Sequence, residues 1–414
     1  MQNRLGSDGF RADRFSALPR SPFARLRALL DDVTPQQAPV SLAIGEPRHA
    51  PPPAVLDALA AARDSYAKYP PIEGTPDWRH AVVGWLTRRF DLSGALFEET
   101  TQILPVNGTR EGLFMAAQIA PQKPDGVVLM PNPFYQVYAA AALAAGASLV
   151  YLPANASTGH LPDLDVLDDA LLARTQAFYF CSPANPQGAV ADAGYLARLL
   201  ELAREHNFLL VVDECYAEIY DTTPPPSALQ LMQATGDNDL PVIVFHSLSK
   251  RSNLPGLRSG FCAGGRSAMR ALVALRAIAG PQSPLAVQEA AALAWSDDAH
   301  AQANRQKYRE KFDAAEMLFA GAYDFYRPAG GFFLWLNVGA GEAAARHLWM
   351  NQGVRVLPGA YLARAGAGGD NPASAYIRVA LVDEQETMTA ALKRLKDGLE
   401  SVSLPTKEPP DGSG

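Results

Sequence analysis

A lysine with two serines and an arginine near it in the sequence has the chemical surroundings of a nucleophile. Lys250 follows the apolar run 241–245, which predicts a buried strand. Desolvation and a nearby fixed cation, here Arg258, lower the pKa of a lysine, and a neutral amine attacks aldehydes. The hydroxyls of Ser247 and Ser249, together with an arginine, suit a phosphate monoester. The segment therefore predicts a Schiff-base lysine beside a phosphate site, although so short a motif also fits a solvated surface loop.

Two charged residues are predicted to be buried, which is costly unless each meets a partner. Asp213 ends the apolar run 208–212, and its carboxylate would keep a pyridinium nitrogen protonated; a helix cap or turn is the alternative. Arg378 lies within the apolar segment YIRVAL, where it would bind a substrate carboxylate; a structural salt bridge is the alternative. A nucleophilic lysine, phosphate-binding hydroxyls and a pyridinium partner together point to pyridoxal 5′-phosphate (PLP).

Further residues at turns and helix starts suit the same kind of ligand. The segment NGT at 107–109 begins a predicted helix and offers backbone N–H groups to an anion, or serves only as an N-cap. Asn185 and Tyr216 would hydrogen-bond the phenolate oxygen of the ring, and Tyr135 would stack on one face of it or contribute simple packing. Gly45 permits close approach of the backbone to a ligand, or forms a plain turn.

Elements that alternate along the chain would bring these residues together. From about residue 100, apolar strand-like runs are separated by helix-length segments such as 164–173, which predicts a mostly parallel sheet covered on both faces. Ligands bind outside the carboxyl ends of the strands in such sheets. The polar residues that follow the strands are Asn107, Ser182, Asn185, Asp213 and Lys250. After residue 285 the pattern changes to a smaller α+β unit, whose final helix is predicted to begin at Asp383 with a capping box to Glu386.

Composition and charge exclude several classes of function. The 414 residues carry a formal net charge of −7, with 48% hydrophobic and 19% charged residues, which argues against a nucleic-acid or anionic-membrane surface. The 3 cysteines are widely spaced and form no metal-binding cluster with the 7 histidines. The N-terminus lacks the apolar core of a signal peptide, and no apolar stretch is long enough to span a bilayer. We expect a cytoplasmic protein with no metal, membrane or nucleic-acid partner.

Motifs along almost the whole chain resemble the class I/II aminotransferases of the PLP fold-type I superfamily. They are, in order, GEP (45–47), YPPIEG (69–74), NGT, PFYQVY, SPANPQG, DECY, SLSKRSNLPGLRSG and IRVAL. The resemblance implies an α/β fold, with a large domain built on a mostly parallel seven-stranded sheet flanked by helices and a smaller α+β domain. The implied boundaries are an N-terminal arm and strand at 1–50, the large PLP-binding domain at 51–295, the small domain at 296–403 and a disordered tail at 404–414.

The resemblance also implies a role for each candidate residue. Lys250 would carry PLP as a Schiff base and shuttle the proton, with Asp213 and Tyr216 as the other catalytic residues. The cofactor-binding residues would be Gly108, Thr109, Arg110, Tyr135, Asn185, Asp213, Tyr216, Ser247, Ser249, Lys250 and Arg258, joined by Tyr69 from the partner of a homodimer. The substrate-binding residues would be Gly45, Asn185 and Arg378. Arg110 departs from the family pattern, because small residues are common at its position, and so do Ala184 and Gln187 in SPANPQG.

The longer motifs LPVNGTREGLF, LMPNPFYQVY and VFHSLSKRSNLPGLRSGF resemble, more narrowly, the N-succinyl-LL-diaminopimelate aminotransferases of lysine biosynthesis. The implied reaction is a ping-pong exchange of an amino group between glutamate and N-succinyl-2-amino-6-oxopimelate. Aminotransferases for aromatic amino acids, aspartate or acetylornithine are alternatives, as is a PLP-binding regulatory module without catalysis. Arg48, Lys68, Arg110 and Arg251 are candidates to line the substrate site, and the sequence does not choose among them.

Overall fold

The computed structural model describes residues 15 and 18 and the ranges 20–92, 100–366 and 368–401. The predicted tail at 404–414 and residues 1–14 of the predicted N-terminal arm lie outside these described residues. Within the described ranges, no helix is long and apolar enough to cross a membrane. The described side chains also include no group of three or more His, Cys, Asp and Glu that could hold a metal ion.

Strands occur in both halves of the chain. They are β1 (Val40–Ser41), β2 (Ile103–Val106), β3 (Val127–Asn132), β4 (Ser148–Pro153), β5 (Thr175–Cys181), β6 (Leu209–Asp213), β7 (Val242–Ser247), β8 (Gly260–Gly264), β9 (Phe333–Asn337), β10 (Val354–Arg355), β11 (Leu357–Pro358) and β12 (Tyr376–Ala380). A 7-stranded sheet has the order β2-β8-β7-β6-β5-β3-β4, and β8 alone runs antiparallel to its neighbours. This confirms the predicted α/β architecture with a mostly parallel sheet.

Helices cover the strands and connect them. They are α1 (Pro22–Leu30), α2 (Pro53–Ala61), α3 (Pro76–Phe90), α4 (Thr109–Ala116), α5 (Gln136–Ala144), α6 (Asp169–Arg174), α7 (Ala193–Glu205), α8 (Ala228–Thr235), α9 (Leu248–Arg251), α10 (Arg266–Ala279), α11 (Leu285–Ser296), α12 (Ala299–Phe319), α13 (Gly341–Gln352) and α14 (Gln385–Glu400). Short 3-10 turns occupy Arg63–Ala67, Ala117–Ile119, Ala156–Thr158, Pro255–Leu257 and Gly359–Tyr361.

The apolar residues of the central strands point alternately to the two faces of the sheet, as the two-residue period of a strand requires. Val212 and Val244 belong to the apolar cluster on one face, together with Trp85 of α3. Val211 and Ile243 belong to the cluster on the other face, which includes residues of α4, α5 and α10. Both faces are therefore buried, which explains why these strands are apolar throughout.

The register of the sheet brings three strand ends to one level. Asp213, the last residue of β6, pairs with Cys181 at the end of β5 and with Phe245 near the end of β7. Residues that follow these strands, including Ser182 and Lys250, therefore leave the sheet from the same edge. This edge carries the candidate site.

A separate apolar cluster lies in the C-terminal part of the chain. Strands β11, β12 and β9 form a 3-stranded antiparallel sheet, and β1 from the N-terminal part pairs in parallel with β10. Helices α12, α13 and α14 contribute buried residues to one cluster with these strands, among them Phe312, Leu348 and Leu395. The domain boundaries at residues 50, 295 and 403 stay a prediction.

Two predicted helix starts are wrong for a local physical reason. The final helix begins at Gln385 with Glu384 as its N-cap and no side-chain cap, because Asp383 is paired with Arg48 and Glu384 with His49. The predicted helix at 164–173 is helical only in α6. The side chain of Asp168 caps α6 by accepting a hydrogen bond from the backbone N–H of Leu171 at 2.7 Å.

Candidate active site

A cavity of about 680 Å³ opens at the carboxyl ends of β5, β6 and β7. Most of the residues predicted from the sequence line it: Gly45, Thr109, Arg110, Tyr135, Asn185, Asp213, Tyr216, Ser247, Ser249, Lys250, Arg258 and Arg378. These residues come from widely separated parts of the chain, from the N-terminal segment to β12. Their convergence on one cavity makes it the candidate active site.

Lys250 lies in the short helix α9, which follows β7 directly. The side chain of Ser247 caps this helix by accepting a hydrogen bond from the backbone N–H of Ser249 at 3.1 Å, which fixes the turn that carries the lysine. Lys250 Nζ donates a hydrogen bond to the carbonyl oxygen of Gly45 at 2.6 Å. Burial lowers the pKa of Lys250 to about 8, so a substantial fraction of the amine is neutral near physiological pH and can act as a nucleophile.

Asp213 places a carboxylate on the floor of the cavity, where it is only 7% exposed. The Tyr138 hydroxyl donates to its Oδ2 at 2.9 Å, and the Cys215 N–H donates to its Oδ1 at 3.2 Å. Burial raises the pKa of Asp213, which means that its charged form lacks full compensation. Among the described residues, no lysine, arginine or histidine forms an ion pair with it. A protonated ring nitrogen would supply that missing positive charge.

Arg378 lies on β12, where its guanidinium is buried over the Phe333 ring at 4.3 Å. It donates through Nη1 to Asn185 Oδ1 at 3.1 Å and through Nη2 to the Ala43 carbonyl at 2.8 Å. Burial lowers the pKa of Arg378 to about 10. No carboxylate of the described chain pairs with it, so the alternative of a structural salt bridge is not observed there. A buried guanidinium without an anion is suited to a substrate carboxylate.

Asn185 and Tyr216 lie side by side above the strand ends. Asn185 Nδ2 donates to Tyr216 Oη at 3.5 Å, a long contact, while its Oδ1 holds Arg378. Burial raises the pKa of Tyr216 well above its ordinary value, so the hydroxyl stays protonated and available as a donor. The Asn185 amide and the Tyr216 hydroxyl can therefore both donate hydrogen bonds to a ligand oxygen in the cavity.

Thr109 and Arg258 line the part of the cavity that can bind an anion, and Gly108 lies directly beside Arg258. Gly108 has a φ of +79° as the N-cap of α4, and a side chain there would collide with the Arg258 guanidinium. Arg258 donates to the carbonyl oxygens of Pro255 at 2.9 Å and Asn107 at 3.4 Å, which holds it beside the start of α4. With the hydroxyls of Ser247 and Ser249, these groups can bind a phosphate at a helix N-terminus.

Two predicted cofactor-binding residues do not line the cavity. Gly108 contributes through its missing side chain, as described above. Tyr69 is 97% exposed and is not among the described residues that line the cavity of its own chain. Of the four cations that the sequence left open, Arg110 alone lines the cavity.

Sequence reasoning missed several cavity residues. Tyr138, whose hydroxyl meets Asp213, follows Tyr135 within the PNPFYQVY motif, and its spacing on the first turn of α5 was an available signal. Cys215 Sγ lies 3.2 Å from Thr109 Oγ1 inside the site. Phe23 and His160 also line the cavity, and no local pattern indicates this because each reaches it from a distant segment of the chain.

The family model for aminotransferases of class I and II matches residues 38–395, and the chain belongs to this family. These enzymes use PLP. Three features of the site fit PLP. Asp213 is a buried carboxylate without a cation, Lys250 is a lysine of lowered pKa, and Gly108 leaves no room for a side chain beside Arg258.

Individual relatives span nearly the whole chain. An LL-diaminopimelate aminotransferase from Desulforudis audaxviator is 32% identical over 402 residues, which cover 95% of this chain and 99% of that protein. The 4-dedimethylamino-4-oxo-anhydrotetracycline transaminase OxyQ of Streptomyces rimosus is 32% identical over 357 residues, covering 86% of this chain and 92% of that one. An aminotransferase structure from Neisseria meningitidis is 36% identical with a TM-score of 0.88, covering 93% of this chain and 99% of that chain. The chain is therefore similar to transaminases that are named for different substrates.

Proposed function

We propose that this aminotransferase exchanges an amino group between glutamate and N-succinyl-2-amino-6-oxopimelate, yielding 2-oxoglutarate and N-succinyl-LL-2,6-diaminopimelate. The reaction is a ping-pong transamination that belongs to lysine biosynthesis through diaminopimelate. One observation carries the choice of substrate: Asp213 is the only acidic residue in the described lining of the cavity. The remaining charged groups there are cations, which favours a substrate with carboxylates at both ends.

The cofactor determines which residues face the chemistry. PLP, when bound, supplies the electron sink that stabilises negative charge at the substrate's Cα. Lys250 would hold it through Nζ, Asp213 would pair with its ring nitrogen, and Asn185 with Tyr216 would bind its phenolic oxygen. Thr109, Ser247, Ser249 and Arg258 would bind its phosphate, and Tyr135 would stack on its ring.

The protein's own side chains then position and move the substrate's atoms. Arg378 binds the α-carboxylate, because it is a buried guanidinium with no carboxylate partner in the described chain. Asn185 orients that guanidinium through the 3.1 Å hydrogen bond to its Nη1. The free Nζ of Lys250 takes up and returns the proton at the substrate's Cα, since a pKa of about 8 suits transfer in both directions near neutral pH.

The far end of the cavity discriminates between acylated and free diaminopimelate. A free distal ammonium group would need a carboxylate partner, and the described lining offers none outside the cofactor floor. Succinylation removes that positive charge and adds a carboxylate. The lining also includes the apolar side chains of Leu18, Phe23, Ile44 and Leu362, and burial lowers the pKa of the lining residue His160, which favours its neutral imidazole. These features support the longer, acylated substrate.

A substrate panel tests the proposal. We expect kcat/KM with glutamate as donor to be highest for N-succinyl-2-amino-6-oxopimelate among keto acids derived from aspartate, aromatic amino acids and acetylornithine. Free LL-diaminopimelate with 2-oxoglutarate is the most informative competitor, because a relative is named for that amino acid. The proposed substrate is rejected if free diaminopimelate or an aromatic amino acid reacts with higher kcat/KM. The regulatory alternative requires that no amino donor change the absorbance of the PLP-bound protein.

We also propose a homodimer in which Tyr69 reaches the phosphate in the partner's site, since an exposed tyrosine is available to a second subunit. Complementation tests this. A mixture of Lys250→Ala and Tyr69→Phe chains, unfolded and refolded together, forms hybrid dimers in which one site keeps both native residues. Activity above the mean of the two separate variants is expected. Activity equal to that mean shows that Tyr69 serves its own chain or no site.

A further inference from the structure

We propose that Arg110 is the specificity-determining residue that binds the carboxylate at the far end of the substrate's side chain. For the acylated substrate this inference rests on the proposed function. For glutamate, whose γ-carboxylate occupies the same end, it requires only that the protein is an aminotransferase that uses this donor. The inference explains how one site accepts two substrates of different length.

The structure removes the competing cations one at a time. Arg48 pairs with Asp383 at 2.5 Å and lines a separate, smaller cavity. Arg251 is 2% exposed, donates to Asp298 Oδ1 at 2.8 Å and has its guanidinium over the Trp295 ring. Neither guanidinium reaches the substrate cavity. Their charges stabilise the protein around the site and do not select substrates.

Three further cations are also unavailable for the distal group. Lys68 is exposed and lies outside the cavity lining. Arg258 is held by the carbonyl oxygens of Pro255 and Asn107 beside the start of α4, at the phosphate side. Arg378 is buried against Asn185 and is assigned to the α-carboxylate. Arg110 is therefore the lining arginine that has no other task in the proposed mechanism.

The Arg110 guanidinium is held in place at Nε, and its two Nη groups remain available to a ligand. It is an exposed residue in the first turn of α4, and its Nε donates to the Tyr135 hydroxyl at 2.6 Å. The guanidinium carbon lies 5.8 Å from the centre of the Tyr135 ring. This contact fixes the side chain through Nε. Within the described ranges no carboxylate pairs with Arg110, so its two Nη groups are free to form a bidentate pair with a carboxylate.

The position of Tyr135 explains why Arg110 would bind the carboxylate at the far end of the substrate's side chain. Tyr135 is the N-cap residue of α5 and lines the cavity beside Asp213 and Tyr138 at the cofactor end. A substrate anchored by Arg378 can extend its side chain toward Arg110, because both residues line the same cavity. Because Arg110 is exposed, its fork can shift outward for a long acyl chain and inward for glutamate. The flexible stem of an arginine allows both positions.

Substitution of Arg110 by glutamine, with lysine as the conservative variant, tests the inference. Half-reaction rates are measured by absorbance for two matched pairs: glutamate against glutamine, and N-succinyl-LL-diaminopimelate against Nε-acetyl-lysine. In each pair only the first member carries a carboxylate at the far end: glutamine has an amide in place of the γ-carboxylate, and Nε-acetyl-lysine lacks both carboxylates of the succinylated end. We expect Arg110→Gln to lower the kcat/KM ratio within each pair by about tenfold to a hundredfold, the effect of losing a hydrogen bond to a charged group. Arg110→Lys should recover part of the ratio.

Two controls separate this role from a structural or cofactor-binding one. Arg198→Gln removes an exposed arginine of α7 that pairs with Glu201, and it should leave both ratios unchanged. PLP affinity, measured by titration of the apoprotein, should differ by less than about threefold between Arg110→Gln and the wild type. A fall in PLP affinity with unchanged ratios assigns Arg110 to the cofactor and overturns the inference.

The remaining outcomes distinguish this inference from the proposed function. If the wild type fails to react with N-succinyl-LL-diaminopimelate but the glutamate-to-glutamine ratio collapses in Arg110→Gln, the acylated substrate is wrong and the role of Arg110 stands. If the wild type accepts the acylated substrate and both members of each pair lose rate equally in Arg110→Gln, the inference about Arg110 is wrong and the substrate stands.

Discussion

Arg378 Nη1 and Asn185 Oδ1 are joined by a hydrogen bond of 3.1 Å that links the C-terminal three-stranded sheet to the loop after β5. Asn185 also contacts the Tyr216 hydroxyl, so one amide side chain touches the proposed carboxylate-binding and cofactor-binding groups. Substrate binding and cofactor orientation are therefore connected through Asn185.

Removing the Arg378 guanidinium should weaken binding of the α-carboxylate and leave the cofactor in place. We expect Arg378→Ala to lower kcat/KM for every amino acid substrate by the equivalent of about 2–5 kcal/mol. The reason is that the substrate's α-carboxylate loses its buried charged partner. Arg378→Lys should recover little, since a point charge does not replace the bidentate fork. Amines without an α-carboxylate serve as the control. An equal loss with these amines would contradict a carboxylate-binding role.

Borohydride should attach PLP to one buried lysine and not to another. Lys250 and Lys311 are both buried, and burial lowers the pKa of each to about 8. Lys311, however, contacts His49 Nε2 at 2.6 Å outside the cavity lining. Reduction of the PLP-loaded protein and peptide mass spectrometry should therefore find the cofactor's mass on Lys250 only, and Lys250→Ala should be inactive. Modification of Lys311 at similar yield would show that a low pKa, and not the site, selects the lysine.

Neutralising Asp213 should remove the counter-charge of the ring nitrogen. Asp213→Asn is expected to lower kcat by the equivalent of about 3–5 kcal/mol, the cost of breaking a buried ion pair by removing one partner. Tyr138→Phe removes only the hydrogen bond to the same carboxylate and should cost about 1 kcal/mol. Steady-state kinetics at saturating PLP measure both. If kcat falls by a similar factor in the two variants, the contribution of Asp213 comes from local packing and not from its charge.

Stability should rise with pH through the titration of Lys311. Burial lowers its pKa from 10.5 to about 8 in the folded protein, so the unfolded chain binds more protons between these pH values. The charged amine is therefore a cost to folding below pH 8 that disappears by about pH 10.5. Relative to Lys311→Met, the wild-type free energy of unfolding should increase by about 3 kcal/mol across this window. Denaturant unfolding at several pH values measures it.

A matched variant keeps this test specific. Lys393→Met removes an exposed lysine of α14 and should not reproduce the pH slope of Lys311→Met. A wild-type stability that runs parallel to that of Lys311→Met from pH 8 to 10.5 would mean that Lys311 titrates normally in the folded protein.

Local pattern was sufficient for the residues at the strand ends. Lys250, Asp213 and Asn185 each follow an apolar run, and parallel strands share one carboxyl edge, so their meeting follows from strand order alone. The same local logic failed for the final helix. Asp383 and Glu386 have the spacing of a capping box, but the ion pair of Asp383 with Arg48 draws the aspartate away from the helix.

The amino-acid sequence by itself determined the architecture and the family, because strand periodicity, strand-end residues and ordered motifs are local properties of the chain. Only the tertiary structure separated Arg110 from Arg48, Lys68 and Arg251, which carry the same charge and differ only in their neighbours. Two of them are paired with Asp383 and Asp298, residues far away in the sequence. Whether a cation is paired or open depends on these long-range contacts, and they are made only when the chain has folded.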